Sequence, residues 1–196
     1  MAQMKLAVIV GSVREGRRGP LITDWFVDYA GQHGQFEISV IDLAELELPL
    51  VMPPEPPAMA EPARPSALAA ATEVLAQADA FVIVTPEYNH SFPASLKAFV
   101  DWHWSQWRAK PVGFVSYGSI GGGLRAVEQL RSVFAELHAT TVRDQVSFHR
   151  YWMEFDADGK PVDAETHNEN AKLMLDQLTW WGTALRNART AVPYAV

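Results

Sequence analysis

The chain contains no cysteine. That excludes a disulfide framework, a thiolate metal site and a thiol nucleophile. It also fits the cytosol, where structural disulfides are rare. No apolar run approaches the ~20 residues that cross a bilayer. The start, Met1-Ala2-Gln3-Met4-Lys5, leads directly into an apolar stretch of about six residues, too short for the core of a signal peptide. The expectation is a cytoplasmic protein with no membrane span. Positive charge is scarce, with 16 Lys and Arg against 23 Asp and Glu and a net charge of −7. An acidic chain binds nucleic acid poorly without a dedicated site, so no nucleic-acid partner is expected. Two glycine motifs are missing as well. No Gly-Lys-Ser/Thr end marks a Walker loop, and the glycine spacing is not G-x-G-x-x-G. His103, His138, His149 and His167 lack metal-ligand spacing, and no metal is expected.

What is present is a repeated layout of apolar run, unusual loop and amphipathic stretch. A length of 196 residues fits one domain, 1–196, able to bury about 70% of its unfolded surface. Lys5–Val10 reads as a strand buried on both faces. Gly11-Ser12-Val13-Arg14-Glu15-Gly16-Arg17-Arg18-Gly19 follows, and Pro20 suits the first position of a helix bearing Leu21, Ile22, Trp25, Phe26 and Tyr29. Strand, polar glycine loop and helix N-terminus together aim backbone N–H groups at an anion. The helix dipole contributes only ~0.3–1 kcal/mol in exposed settings. Charge-assisted hydrogen bonds from Arg14, Arg17 and Arg18 contribute about 1.5–3 kcal/mol each. Ser12 adds a donor. The competing reading is a solvated basic turn.

The third strand in sequence, Ala80–Val84, is again apolar and leads into Thr85-Pro86-Glu87-Tyr88-Asn89-His90-Ser91-Phe92-Pro93. Two prolines stiffen this loop, and an aromatic and an amide sit at its centre, which suits a flat heteroaromatic ligand. A third buried strand, Pro111–Tyr117, leads into Gly118-Ser119-Ile120-Gly121-Gly122-Gly123, where glycines permit close approach of backbone to ligand. Phe36, Ile38 and Val40 alternate with polar residues, and Thr140–Val146 is a more polar strand; both read as sheet edges. Five strands alternating with helices predict an α/β fold. Its form is a doubly wound parallel sheet of order 2-1-3-4-5 with helices on both faces, which puts the two amphipathic strands at the edges. In that order the three loops meet at one crevice.

Other stretches carry weaker signals. The segment 43–65 is rich in proline and reads as a lid, a wrap around a partner subunit or a plain connector. Phe99, Trp102, His103, Trp104 and Trp107 crowd more than one face of a helix, as at a core or an interface, and a homodimer contact, within a dimer or a tetramer, is expected there. Asp156-x-Asp158-Gly159 has the start of a calcium loop without its later ligands. The last helix, roughly Ala164 to Ala188, carries Leu173, Leu175, Leu178, Trp181 and Leu185.

A phosphate site at one end of the crevice and an aromatic loop at the other suit flavin mononucleotide. Over nearly its whole length the chain also resembles the NADPH-dependent FMN reductases of flavodoxin-like fold, which include quinone, azo-dye and chromate reductases. The carriers are Gly11-Ser12-x-Arg14-x-Gly16-Arg17, then Pro86-Glu87-Tyr88-Asn89-His90-Ser91-x-Pro93 with Ser95-Leu96-Lys97 and Asp101-Trp102, and Gly118-Ser119 with Gly121-Gly122. The resemblance implies that Gly11, Ser12, Arg14 and the turn of Arg17, Arg18 and Gly19 hold the FMN phosphate. It implies that Pro86, Glu87, Tyr88 and Asn89 line the isoalloxazine. Ser116, Tyr117, Gly118 and Ser119 would close its other edge, with the Gly121 amide nearby. Many relatives carry a serine and an asparagine where this chain has Arg17 and Gly19. The implied activity is ping-pong: NADPH or NADH passes a hydride to bound FMN and leaves, and a small oxidised acceptor then takes the electrons. No protein acid or base is required, since the flavin carries the chemistry. Tyr88 and His90 are candidate proton donors and Asn89 an orienting group, while Glu87 reads as a loop-bracing carboxylate. The alternative is an FMN-binding electron carrier that serves protein partners.

Overall fold

The computed structural model describes residues 3–54 and 63–195. Its strands are β1 Met4–Val10, β2 Phe36–Asp42, β3 Ala80–Pro86, β4 Pro111–Gly118, β5 Thr140–Thr141 and β6 Val146–His149. Its helices are α1 Gly19–His33, α2 Ala69–Gln77, α3 Ala94–Asp101, α4 Leu124–Glu136 and α5 Ala164–Ala191. The sheet is parallel in the order β2-β1-β3-β4-β5, and β6 also pairs with β4. This is the flavodoxin-like order read from the sequence.

Alternation along the central strands builds two cores. Leu6, Val8, Val82, Val84 and Val115 face α1 and α5, where Phe26, Met174 and Leu178 pack on them. Ala7, Ile9, Phe81, Ile83 and Phe114 face the other way, against Leu75, Phe99, Val127 and Phe134 of α2, α3 and α4. Burial on both faces explains why β1, β3 and β4 read as uninterrupted apolar runs. Val10 pairs with Val84, and Pro86 with Tyr117, so β1, β3 and β4 end on one side and deliver their loops together.

Four expectations change. The polar strand expected over Thr140–Val146 splits in two. After Val142, whose N–H still donates to the Val112 carbonyl (2.9 Å), the chain leaves the ladder over 143–145, held by the Arg131 guanidinium, which donates to the carbonyls of Val142 (2.7 Å) and Arg143 (3.2 Å). In β2 the alternation fails at Val40, which is 48% exposed, while Ile41 turns into the opposite core. Trp181 and Leu173 lie on the outer face of α5, where Ala171, Met174, Leu175, Leu178 and Gly182 are the buried set. Finally, α3 ends at Asp101. Phe99, Trp102, His103 and Trp107 are buried inside the chain itself. Trp107 packs edge-on to Phe81 at 4.7 Å and Phe134 at 5.3 Å. These side chains belong to the core, and only Trp104 of the group keeps surface.

The Pro-rich stretch is described only at its flanks, since 55–62 lie outside the described residues. Trp102 Nε1 donates to the Pro49 carbonyl (2.8 Å), and Arg64 Nε donates to the Trp102 carbonyl (2.6 Å). Both flanks are therefore fastened to the turn after α3. No helix among the described residues is long and apolar enough to cross a membrane.

Candidate functional site

The loop after β1 is tied to β3 by Gly11 N–H donating to the Val84 carbonyl (2.9 Å) and to α3 by Ser95 Oγ donating to the Gly11 carbonyl (2.9 Å). It ends at the N-terminus of the 15-residue helix α1, with Arg18 as N-cap and Pro20 in the first turn. Gly19 is there for space. A Cβ on it would lie 2.3 Å from Ser12 Oγ, 2.9 Å from Val10 Cγ1 and 3.3 Å from the Tyr117 hydroxyl.

Two hydroxyls thus converge beside the helix terminus. Ser12 Oγ and Tyr117 Oη are both buried, and neither has a hydrogen-bond partner among the described residues. A buried unpaired hydroxyl costs about 1–3 kcal/mol, so a pair of them at a helix N-terminus points to an absent acceptor. Burial pushes the Tyr117 phenol well above its ordinary value, opposed by the nearby Ser12 hydroxyl, so the phenol is a protonated donor. Thr23 Oγ1, further along α1, is also buried and unpaired.

The three arginines of the loop part ways. Arg17 turns to Asp42 at the end of β2 and donates to both carboxylate oxygens, at 2.6 and 2.7 Å, and to the Ser12 carbonyl at 3.0 Å. It braces the loop. Arg14 and Arg18 are exposed, line the cleft and have no acidic partner among the described residues.

The loop after β3 is rigid. Tyr88 and Ser91 exchange backbone hydrogen bonds of 2.8 and 3.0 Å, and the residues between them, Asn89 and His90, have φ of 50° and 70°. Positive φ at both central positions is the mirror-image turn, a conformation in which Asn and His are enriched among residues with side chains. Gln129 of α4 holds it, donating to the His90 carbonyl (2.7 Å) and accepting from Ser91 Oγ (2.7 Å). The His90 ring is exposed. Tyr88 is half-buried, and burial raises its phenol pKa against the lowering influence of Arg14. Glu87 is engaged by the Arg125 guanidinium and accepts from Arg125 N–H (3.3 Å) in the first turn of α4. It is a bracing carboxylate.

The glycine loop is pinned from beneath. Ser116 Oγ (2.8 Å) and Ser147 Oγ (2.7 Å) both donate to the Gly122 carbonyl. A Cβ on Gly118 would lie 2.9 Å from Gly123 N. Ser116 and Tyr117 were expected together at one ring edge. Adjacent strand residues point to opposite faces, so Ser116 supports the glycine turn while Tyr117 reaches under the cleft to Ser12.

The cleft has a volume of about 370 Å³. Arg14, Arg18, Pro86, Tyr88, Gly118 and Ser119 line it, as do Tyr151 and Trp152, which the sequence reading did not single out. These two come from a 3₁₀ turn, Tyr151–Met153, in a stretch whose aromatics follow neither helical nor strand period. Tyr151 packs edge-on to Tyr117 at 5.5 Å. Among the described residues no three His, Asp or Glu side chains gather in a way that could hold a metal ion.

Residues 4–153 match the model of the NADPH-dependent FMN reductases. An NAD(P)H-dependent FMN reductase of Schizosaccharomyces pombe is 37% identical over 120 residues, which is 61% of this chain and 60% of the yeast protein. The chain thus spans less than two thirds of that relative. A 2-hydroxy-1,4-benzoquinone reductase of Burkholderia sp is 30% identical over 91% of this chain and 96% of its own. The solved flavoenzyme FerB of Paracoccus denitrificans, an NAD(P)H:(acceptor) oxidoreductase, superposes with a TM-score of 0.69 at 21% identity, covering 92% of this chain and 98% of FerB. The chain belongs to the NADPH-dependent FMN reductase family.

Proposed function

We propose that the protein is an NAD(P)H-dependent oxidoreductase that holds FMN in this cleft and delivers two electrons to a small oxidised acceptor. The observation that carries the reading is the pair of buried, unpartnered hydroxyls, Ser12 and Tyr117, at the N-terminus of α1. Two donors, a helix terminus and the exposed Arg14 suit a phosphate dianion. Arg17 lines the same cleft, and its pairing with Asp42 suits it to brace the loop.

The ring end of the ligand would lie between the Pro86–Asn89 loop and Gly118–Ser119. The braces on these loops, from Gln129, Arg125 and Ser147, hold their backbone N–H groups in place with no rearrangement needed on binding. When bound, FMN supplies the hydride-accepting and hydride-donating centre. The protein's part is to bind, orient and limit water. Tyr88 lines the cleft, and its phenol, protonated at neutral pH, would donate a hydrogen bond to an acceptor oxygen. His90 is an exposed loop residue held through its carbonyl. NAD(P)H and a small acceptor are the partners in this reading. Of the aromatics in residues 99–107 only Trp104 keeps surface for a homodimer contact, because Phe99, Trp102 and Trp107 are internal.

The test is a visible spectrum of the purified protein with FMN, taken without air before and after NADPH. A bound flavin bleached directly to its two-electron reduced form, and re-oxidised by a quinone, agrees with the proposal. A bound flavin that NADPH and NADH leave oxidised would sink it in favour of an electron carrier.

A further inference from the structure

Trp152 stands on the rim of the cleft with 53% of its surface exposed, though its backbone is fixed at both ends. On one side Arg150 N–H donates to the Ser119 carbonyl (2.7 Å) in the glycine loop. On the other, Glu154 meets His167 of α5 at 3.1 Å, and its carbonyl accepts from Val162 N–H (2.8 Å). Arg150 itself has φ of 49°, a left-handed conformation uncommon for a side-chain-bearing residue. A strained, doubly anchored turn thus presents an indole to water at the mouth of a redox cleft. Trp180 is exposed as well, at 64%, so exposure alone marks nothing; what sets Trp152 apart is that it lines the cleft, where its ring can pack on a flat ligand.

Arg18 lines the same cleft. Its neighbour Arg17 is neutralised by Asp42, and the charge of Arg14 acts on the phenol of Tyr88. Arg18 is the N-cap of α1, exposed and without an acidic partner among the described residues. Against a net charge of −7, such an unneutralised cation is a local feature that selects for anions.

Resting on the FMN reading above, we propose that the preferred acceptors are flat aromatic molecules bearing a negative charge, the ring packed on Trp152 and the sulfonate or carboxylate on Arg18. A quinone of this kind takes up a hydride and a solvent proton, two electrons in all, and leaves as the hydroquinone. NAD(P)H has given the hydride and left as NAD(P)⁺. The anionic substituent is unchanged and serves only in binding.

The test isolates the acceptor half-reaction. Enzyme loaded with FMN and reduced beforehand with dithionite is mixed with a naphthoquinone sulfonate or with unsubstituted naphthoquinone, and the second-order re-oxidation constants are compared as a ratio. The two quinones differ in potential, but that difference is common to all variants and cancels between them. The expected result is a ratio about tenfold lower in Arg18→Ala, lower again in Arg18→Glu and kept in Arg18→Lys. The wild-type ratio should also fall between about 20 and about 200 mM NaCl. Trp152→Ala should slow both quinones at low concentration while leaving the saturating rate, and Trp152→Phe should restore most of the loss. A ratio that ignores charge reversal at Arg18 and ignores salt overturns the proposal. If the protein holds no FMN, or unsubstituted naphthoquinone never re-oxidises it, the oxidoreductase reading falls as well. Normal turnover of that neutral quinone with a flat ratio removes only the anionic preference.

Discussion

Arg17 and Asp42 clasp each other through two parallel hydrogen bonds, at 2.6 and 2.7 Å, joining the loop after β1 to the end of β2. The pair is mostly buried, with side-chain exposures of 19% and 15%. Breaking it should cost about 1–2 kcal/mol, between the surface and interior cases. A brace and a direct phosphate ligand make opposite predictions for Asp42→Asn. If Arg17 braces, Asp42→Asn and Arg17→Ala should each weaken FMN binding about tenfold, because both loosen the loop. If Arg17 instead contacts the phosphate, freeing it from Asp42 should tighten binding. Flavin fluorescence titration of the two variants decides.

Gly19→Ala tests how closely the loop packs on α1. The new methyl would meet Ser12 Oγ at 2.3 Å and Val10 Cγ1 at 2.9 Å. Gly19 does not need a left-handed backbone, so the cost is steric alone. Overpacking of this kind should cost about 1–3 kcal/mol in urea unfolding. Adding Ser12→Ala removes one of the two clashes and should recover part of the loss.

Ser12→Ala and Tyr117→Phe delete neighbouring hydroxyls that have no hydrogen-bond partner among the described residues. The flavin-free protein should therefore be no less stable, and up to ~1 kcal/mol more stable for each. FMN affinity should move the other way, falling about tenfold for each. The pH dependence has a sign as well. Burial raises the folded-state pKa of Tyr117 above its ordinary value of 10.0. Above about pH 10 the unfolded chain releases that proton and the folded one keeps it, so flavin-free stability falls as pH rises further. Tyr117→Phe should lessen that fall. Equal losses of stability and affinity in both variants would remove the ligand role.

The strand order was legible because β1, β3 and β4 are buried on both faces and so lack polar interruptions, while their loops carry proline and glycine that nothing in a plain connector requires. Pairings between distant residues were not. Asp42 meets Arg17 from the neighbouring edge strand, and no local pattern announces it. An aromatic helix has the same sequence signature in a core as at an interface, and Trp107 joined the core because Phe81 and Phe134 converge on it. Ser116 and Tyr117 are adjacent in sequence, yet the pleat sends one under the glycine turn and the other under the phosphate loop. Tyr151 and Trp152 sit in a short 3₁₀ turn, too brief for any periodicity to register.

Lys110 offers a stability prediction away from the cleft. It is 6% exposed, and its Nζ donates to the carbonyls of Leu75 (2.8 Å) and Ala76 (3.0 Å) at the end of α2. Burial, helped by the positive charge of Arg189 and opposed by Asp79, pulls its pKa down from 10.5 to about 7. A neutral amine still has two N–H groups, one for each carbonyl, so the uncharged form fits the site. Between about pH 7 and pH 10 the unfolded chain then binds the proton that the folded chain does not, and stability rises with pH across that window. Relative to Lys110→Met, which has no such proton, wild type should gain on the order of 2–3 kcal/mol between pH 7 and 9.5 in urea unfolding. Below pH 7 both states carry the charge and the difference should level off. A flat difference from pH 7 to 9.5 would mean that the ammonium stays charged on the α2 carbonyls, with the helix C-terminus compensating its burial.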